Sequence, residues 1–259
     1  GWISMIKHIR KGGCVILPEY IASVSFGKDS LCMLLMLLEK EYPLDEVVFY
    51  NTGMEFQAIY DTRDKVLPLL MERGIQYTEL HPKNPFLYDM LERPVTRKDG
   101  TKQKGYSWCG RSVRWGTRMK NDTIRSYLRK KGPCIQYVGL AHDEFKRIPK
   151  APVEGKVYPL VDWRIPGGEA LAYCYSKGYT WMENGKPLYS ILNNVSCWCC
   201  ANKCLKELRG YYYYLPEYWE KLKDLQRRTP YPMRGPRENV FELEERFIEE
   251  RSGLYGEEV

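Results

Sequence analysis

Apolar residues along the chain alternate between short unbroken runs and helical spacing, beginning near residue 20. Residues 21–25 read as a strand, and after a tight turn Leu31, Leu34, Leu35 and Leu38 recur at helical spacing. Val47-Val48-Phe49-Tyr50 is a second strand of the buried type, bounded by Asp45-Glu46 and Asn51-Thr52-Gly53. Residues 56–73 return to the helical period through Ile59, Arg63, Val66 and Leu70, with Gly74 placed to end the helix. A third strand follows over 75–80, then a short helix over 82–92 and a polar, basic loop over 93–107. Residues 111–131 are helical again and stop at Gly132-Pro133, after which 135–140 reads as a fourth strand. Residues 157–161 predict a further strand and 169–177 a further helix. Strands alternating with helices specify the α/β class, a mostly parallel sheet covered by crossover helices. Beyond residue 185 a cysteine-rich stretch precedes two amphipathic or charged helices over 216–228 and 239–251. The pattern therefore divides into an α/β domain over 1–184 and a cysteine-containing helical module over 185–259.

Composition narrows the class. At 259 residues, 44% hydrophobic and 28% charged, the chain can bury a substantial core and is neither a disordered segment nor a small disulfide scaffold. Its longest apolar run, residues 31–38, is far shorter than a bilayer span, so no membrane partner is expected. Lys7, His8, Arg10 and Lys11 are not followed by the apolar stretch of a secretory signal, and a cytoplasmic location is expected. The net charge of +7 is concentrated: residues 93–131 hold thirteen Lys or Arg against Asp99 and Asp122, a local +11 that leaves −4 elsewhere. Such a segment suits a polyanion, either nucleotide phosphates or a nucleic-acid backbone.

The most informative local pattern is a strand running into Ser25-Phe26-Gly27-Lys28-Asp29-Ser30 and then a helix. Gly27 allows a tight turn, successive amides point at an anion, and the helix dipole adds partial positive charge. Ser25 and Ser30 supply hydroxyl donors and Lys28 a full charge. The two glycines that a Walker A loop places before its Lys-Ser/Thr are absent. A helix merely capped by Ser25 or Asp29 is the plainer alternative.

With Ser23-Val24 in front of it, this turn resembles the PP-loop signature of the adenine nucleotide alpha hydrolase superfamily, specifically its phosphoadenosine phosphosulfate reductase family. Asn51-Thr52-Gly53-Met54-Glu55-Phe56 is similar to that family's aspartate-threonine-glycine block, with Asn51 in place of the acid. Trp108-Cys109, Gly139-Leu140-Ala141-His142-Asp143-Glu144 and Tyr158-Pro159-Leu160-Val161-Asp162-Trp163 are similar to its later blocks, so the resemblance spans roughly residues 20–225. It implies a doubly wound sheet binding ATP, or an adenylyl sulfate-type nucleotide, at the strand carboxyl ends, where an open parallel sheet places ligands. It also implies that Ser23, Ser25, Phe26, Gly27, Lys28, Asp29 and Ser30 hold the phosphates, with Lys28 and Asp29 catalytic and Asp29 a magnesium ligand. Asn51, Thr52, Gly53 and Glu55 are expected near the base or ribose, and Gly139 beside the nucleotide. His142 is expected to touch substrate, and both it and His81 are candidate bases.

Four of the nine cysteines fall within Cys197-Trp198-Cys199-Cys200-Ala201-Asn202-Lys203-Cys204. Cys197 and Cys200 form a Cys-x-x-Cys pair with Cys204 one helical turn on, a spacing that can converge on zinc or an iron-sulfur cluster. Cys109, which the resemblance puts beside the active site, is the candidate fourth ligand, with Cys199 its local rival. Similar proteins place such a block before a helix like that over 205–215. Cys14, Cys32, Cys134 and Cys174 sit in apolar or aromatic surroundings that suit buried, inert thiols.

Arg111, Arg114, Arg118, Arg125 and Arg129 recur at helical intervals and form a basic stripe, after a loop containing Tyr106 and Trp108. A solvated helix face accounts for the stripe; phosphate binding by Arg111, Arg114 and Arg118, on a nucleotide or a nucleic-acid acceptor, is the functional alternative. Three functions follow. The first is an ATP pyrophosphatase that adenylates an acceptor, with sulfur transfer to nucleic acid and a sulfur-donor or complex partner protein. The second is a sulfonucleotide reductase, although no cysteine follows Cys204 where the resemblance implies a nucleophile. The third is a nucleotide- or nucleic-acid-binding subunit without turnover.

Overall fold

The structure is a computed structural model that describes residues 9–11, 14–110, 113–235 and 238–255. The chain gathers into two compact units, each drawn from three stretches: 1–51, 59–81 and 121–180 in the first, 52–58, 82–120 and 181–259 in the second. The excursions 52–58 and 82–120 have no counterpart in the sequence pattern, because the helices at 57–72 and 115–131 continue across the junctions. Among the described residues no helix is long and apolar enough to cross a membrane.

In the first unit, β1 (Glu19–Ser23), β2 (Glu46–Tyr50), β3 (Gln76–Leu80), β4 (Cys134–Val138) and β5 (Lys156–Val157) form one parallel sheet in the order β3-β2-β1-β4-β5. The chain steps outward from β1 to β3 and returns on the other side of β1, which is the doubly wound arrangement. The strand order reverses between β1 and β4, and open α/β sheets bind ligands at that point. All five residues of β2 are buried, as its apolar run requires in a sheet covered on both faces. Helix α1 (Lys28–Glu39) buries Leu31, Met33, Leu34 and Leu37 completely, about 2 kcal/mol of hydrophobic stabilisation each. Helices α2 (Gln57–Glu72), α3 (Trp115–Lys131) and α4 (Gly167–Ser176) follow the predicted segments closely.

Two expectations change. The strand expected over 157–161 is only Lys156–Val157, because Pro159 has no N–H for the ladder and instead opens the one-turn helix Pro159–Asp162. The basic loop over 93–107 contains an antiparallel hairpin, Pro94–Thr96 paired with Lys102–Lys104. A further pair, Ile9–Lys11 with Cys14–Ile16, has no predicted counterpart, and the Cys14 side chain lies outside the described residues.

Among its described residues the second unit holds this hairpin, a shorter one pairing Met182–Glu183 with Lys186–Pro187, the short helices Phe86–Leu91 and Leu188–Ile191, and the longer helices α5 (Leu205–Tyr214), α6 (Pro216–Arg228) and α7 (Val240–Tyr255). Helix α6 turns Tyr218, Trp219, Leu222 and Leu225 inward, and the Trp219 and Phe247 rings meet at 5.8 Å.

Candidate functional site

The phosphate turn leaves the carboxyl end of β1. Val24 N–H still donates to Val48 carbonyl oxygen at 2.9 Å, and the chain then reverses at Phe26, whose φ is +57°. Gly27, given the turning role by sequence, has φ −79° and caps α1. The left-handed conformation is carried by Phe26 because its ring is fully buried and edge-on to Phe49 at 5.2 Å. Such a backbone costs roughly 1–2 kcal/mol and persists only where packing determines it. Ser30 Oγ accepts from Ser25 N–H at 3.1 Å and lies 3.0 Å from Ser25 Oγ, so the two serines brace the turn. The Ser23 hydroxyl accepts from the Gln136 amide at 2.7 Å, within the sheet.

Lys28 Nζ donates to Asp29 Oδ1 at 2.6 Å, and both side chains are largely buried. Burial pushes the Asp29 carboxyl above its ordinary value against the pull of Lys28, and the charges of Glu144 and Asp143 push the same way. Two glycines bring other segments onto this pair. A Cβ on Gly139, just past β4, would lie 2.6 Å from Ser30 Cα. A Cβ on Gly167, the first residue of α4, would lie 2.6 Å from Lys28 Nζ, 3.6 Å from Asp29 Oδ1 and 3.7 Å from Asp143 Oδ1. Gly167 N–H donates to Asp143 Oδ1 at 2.9 Å. The N-termini of α1 and α4 therefore converge with Asp29 and Asp143 around one lysine, at the sheet's switch point. His142 belongs to the same loop: its N–H donates to Ile165 carbonyl oxygen, and its Nδ1 is buried without a hydrogen-bond partner. A bound group would relieve that cost of roughly 1–3 kcal/mol. Gly167 escaped sequence reading, although Pro166-Gly167-Gly168 before a helix was available as a signal, as did Phe145, 71% exposed beside His142.

Asn51 is tied into a structural network. Its amide donates to Glu79 Oε1 at 2.7 Å and its carbonyl oxygen accepts from Tyr60 at 2.9 Å. Burial raises the Glu79 carboxyl, but hydrogen bonds from Tyr77 and Asn51 and the Arg63 charge outweigh it and hold it below the ordinary range.

In the second unit, the thiol loop meets both other blocks of the pattern. Ala201 N–H donates to Cys109 carbonyl oxygen at 3.0 Å, and Trp198 N–H to Met54 carbonyl oxygen at 2.9 Å. Gly110 permits this approach, since a Cβ there would sit 2.9 Å from Asn202 N. Thr52 donates to Glu55 Oε1 at 2.8 Å. Burial raises the Glu55 carboxyl, against Lys120 and the Thr52 hydrogen bonds. Gly53 takes φ +78° between them.

The hydrogen bond with Cys199 and burial push the Cys197 thiol well up, while that with Cys200 pulls against them; Cys200 is pushed up by its bond with Cys197 and by burial. Burial also raises Cys109, against hydrogen bonds from the Gly116 and Thr117 backbone. Cys204 goes elsewhere. It is exposed and caps α5, its sulfur accepting from Glu207 N–H while Glu207 Oε2 accepts from Cys204 N–H at 2.8 Å. Among the described residues no three His, Cys, Asp or Glu side chains form a group able to hold a metal ion, so Cys109, Cys197, Cys200 and Cys204 are not closed around one centre here. Cys32 and Cys174 are buried thiols, and Cys134 is half-buried.

Arg111 lies outside the described residues. Arg114 precedes α3, and Arg118, Arg125 and Arg129 lie within it, all four exposed. Trp108, expected as a stacking ring, is buried and donates Nε1–H to Tyr231 carbonyl oxygen at 2.9 Å. Tyr106 stacks on Trp115.

Residues 19–165 match the family described as the phosphoadenosine phosphosulfate reductase domain. The chain belongs to this family. The matched span of the phosphoadenosine phosphosulfate reductase domain contains the phosphate turn and the 139–144 loop; the thiol loop lies beyond it. No curated protein matches the chain. Among solved structures it is similar to the U34-tRNA thiolase NcsA from Methanococcus maripaludis with its 4Fe–4S cluster, at 15% identity and a TM-score of 0.44, over 90% of this chain and 72% of that one.

Proposed function

We propose that this member of the phosphoadenosine phosphosulfate reductase family binds ATP at the switch point and cleaves it between the α and β phosphates to adenylate an acceptor. The observation that carries the reading is the convergence on Lys28 of the α1 and α4 N-termini, closed by Gly139 and Gly167. Two helix N-termini and a buried ammonium suit a polyphosphate. Asp29 is a hard oxygen donor of the kind magnesium takes, and its carboxyl, raised by burial against the pull of Lys28, would be favoured in its ionised form by a second cation. Magnesium there would neutralise phosphate charge.

An acceptor oxygen attacks the α-phosphorus, the bond to the bridging oxygen breaks, and pyrophosphate leaves; Lys28 and the first-turn amides stabilise the charge that develops. Sulfide-level sulfur from a donor protein then attacks the activated carbon of the adenylated nucleic acid, a C–S bond forming as the C–O bond breaks and AMP leaves, with Arg114 and Arg118 holding acceptor phosphates. The reductase alternative requires a thiolate, and Cys197 and Cys200, half-buried and hydrogen-bonded to each other, are both pushed toward the protonated form.

The test is pyrophosphate release from ATP and magnesium with RNA or DNA acceptors. Lys28→Ala is expected to lower the rate by about 10²–10³. ATP binding without pyrophosphate would make the chain a nucleotide-binding subunit, and thiol-dependent sulfite release would make it a reductase.

A further inference from the structure

We infer that the hairpin of residues 94–104 is a nucleic-acid clamp whose outward face grips the phosphodiester backbone. Period-2 alternation sorts its side chains. Val95 and Gln103 oppose each other and face inward, where Gln103 Oε1 accepts from Tyr231 hydroxyl at 2.9 Å. Pro94 with Lys104 and Thr96 with Lys102 face outward and are exposed, and Lys98 is exposed at the tip. Asp99 is the only acid in the hairpin, and its carboxylate is engaged with Thr101 N–H at 3.0 Å. Among the described residues Lys98, Lys102 and Lys104 make no ion pair, whereas Arg93 at the root is paired with Asp89 at 3.0 Å.

The root is fixed. Gly105 N–H donates to Arg93 carbonyl oxygen, Tyr106 N–H to Asp89 and Ser107 N–H to Met90, at 2.6, 2.9 and 2.8 Å. Gly105 has φ +66°, and a Cβ there would come 2.0 Å from the Met90 carbonyl oxygen. At the tip, Arg97 N–H donates to Thr101 carbonyl oxygen at 2.8 Å, and Gly100 has φ +83°. A rigid ribbon that presents two ammonium groups on one face and a third at its tip, none in an ion pair among the described residues, is preorganised for repeated anionic charge.

The chemistry of that face selects the partner. It carries no aromatic or large aliphatic group to anchor a protein interface, nor any apolar residue to enter a bilayer. Ammonium groups with a hydroxyl, Thr96, are what phosphate contacts use. Four residues separate Lys104 from Cys109, so their Cα atoms are at most about 18 Å apart. Cys109 in turn meets the thiol loop through the Ala201 N–H. The inference deepens the acceptor half of the proposed function and rests on it, but binding is measured without turnover.

The experiment uses the full chain and fluorescein-labelled 20-mers: single-stranded RNA, single-stranded DNA of the same sequence, and duplex DNA, each titrated at several salt concentrations, with ATP affinity measured separately. The triple variant Lys98→Gln/Lys102→Gln/Lys104→Gln is expected to bind about tenfold or more weakly and to lower the salt slope by about 2–3. Lys98→Arg/Lys102→Arg/Lys104→Arg keeps binding, and ATP affinity is the same in all three proteins. The RNA and DNA arms identify the backbone preferred. Wild-type binding to none of the three probes, a Gln variant within twofold of wild type, or equal loss in the Arg variant overturns the clamp. Absence of ATP binding overturns the catalytic reading alone.

Discussion

Gly139 approaches Ser30 so closely that a Cβ would lie 2.6 Å from Ser30 Cα and 2.9 Å from its amide nitrogen. Both atoms are backbone, so neither yields by a rotamer change. Gly139→Ala is therefore expected to cost roughly 1–3 kcal/mol in denaturant unfolding and to weaken ATP binding at least tenfold, because the α1 N-terminus must move. Unchanged ATP affinity in a folded Gly139→Ala protein would detach this contact from the nucleotide site.

Glu46 gives a pH dependence with a definite sign. It is 1% exposed at the start of β2, hydrogen-bonded by Thr78 and Tyr127 and 2.9 Å from Lys131. Burial raises its carboxyl, but the Thr78 and Tyr127 hydrogen bonds and Lys131 outweigh it and hold it below 4.5. A depressed carboxyl stabilises above its unfolded value and loses that stabilisation as pH falls through the folded one. Glu46→Gln should cost about 2 kcal/mol near neutrality, and the difference should shrink as pH falls below about 4.5. Urea titrations of both proteins from pH 7 to pH 3 read this, and a constant difference would remove Glu46 ionisation as the cause.

The thiols are predicted to differ in reactivity. Cys204 is exposed, whereas Cys32, Cys174 and Cys199 are buried. A short alkylation pulse followed by peptide mapping should label Cys204 first and leave those three for last; early labelling of Cys199 would show that the thiol loop opens.

Cys204 also separates capping from metal ligation. Cys204→Ser keeps a capping side chain and should unfold with the wild type, while Cys204→Ala should lose about 1 kcal/mol. Anaerobically purified Cys204→Ser should keep the wild-type iron or zinc content; a fall of half or more would restore Cys204 to the ligand set.

What was legible in sequence was local. The strand, turn and helix around residues 25–30 lie within one short stretch, and the α/β alternation gave the parallel sheet. The reversal at Phe26 was not legible, because the ring contact that fixes it comes from Phe49 on another strand. Gly139 was expected beside the nucleotide, but its contact with Ser30 was not legible, and Gly167 looked like an ordinary loop glycine, since the atoms that crowd the two belong to Ser30 and Lys28. Asp99-Gly100 is a hairpin turn signal, but lysines at 102 and 104 hid the alternation that marks a strand. Cys109 meets the thiol loop through backbone hydrogen bonding, which cysteine spacing does not encode.

Glu207 has a wider consequence than helix capping. One oxygen of its carboxylate accepts from Asn193 N–H at 2.9 Å and the other from Cys204 N–H at 2.8 Å. A single buried acid thus clasps both ends of the segment bearing all four clustered cysteines. The segment is thereby of fixed length, and an insertion within it must unfasten the clasp. The spacing of the four thiols is in this sense governed by a residue that is not itself a thiol.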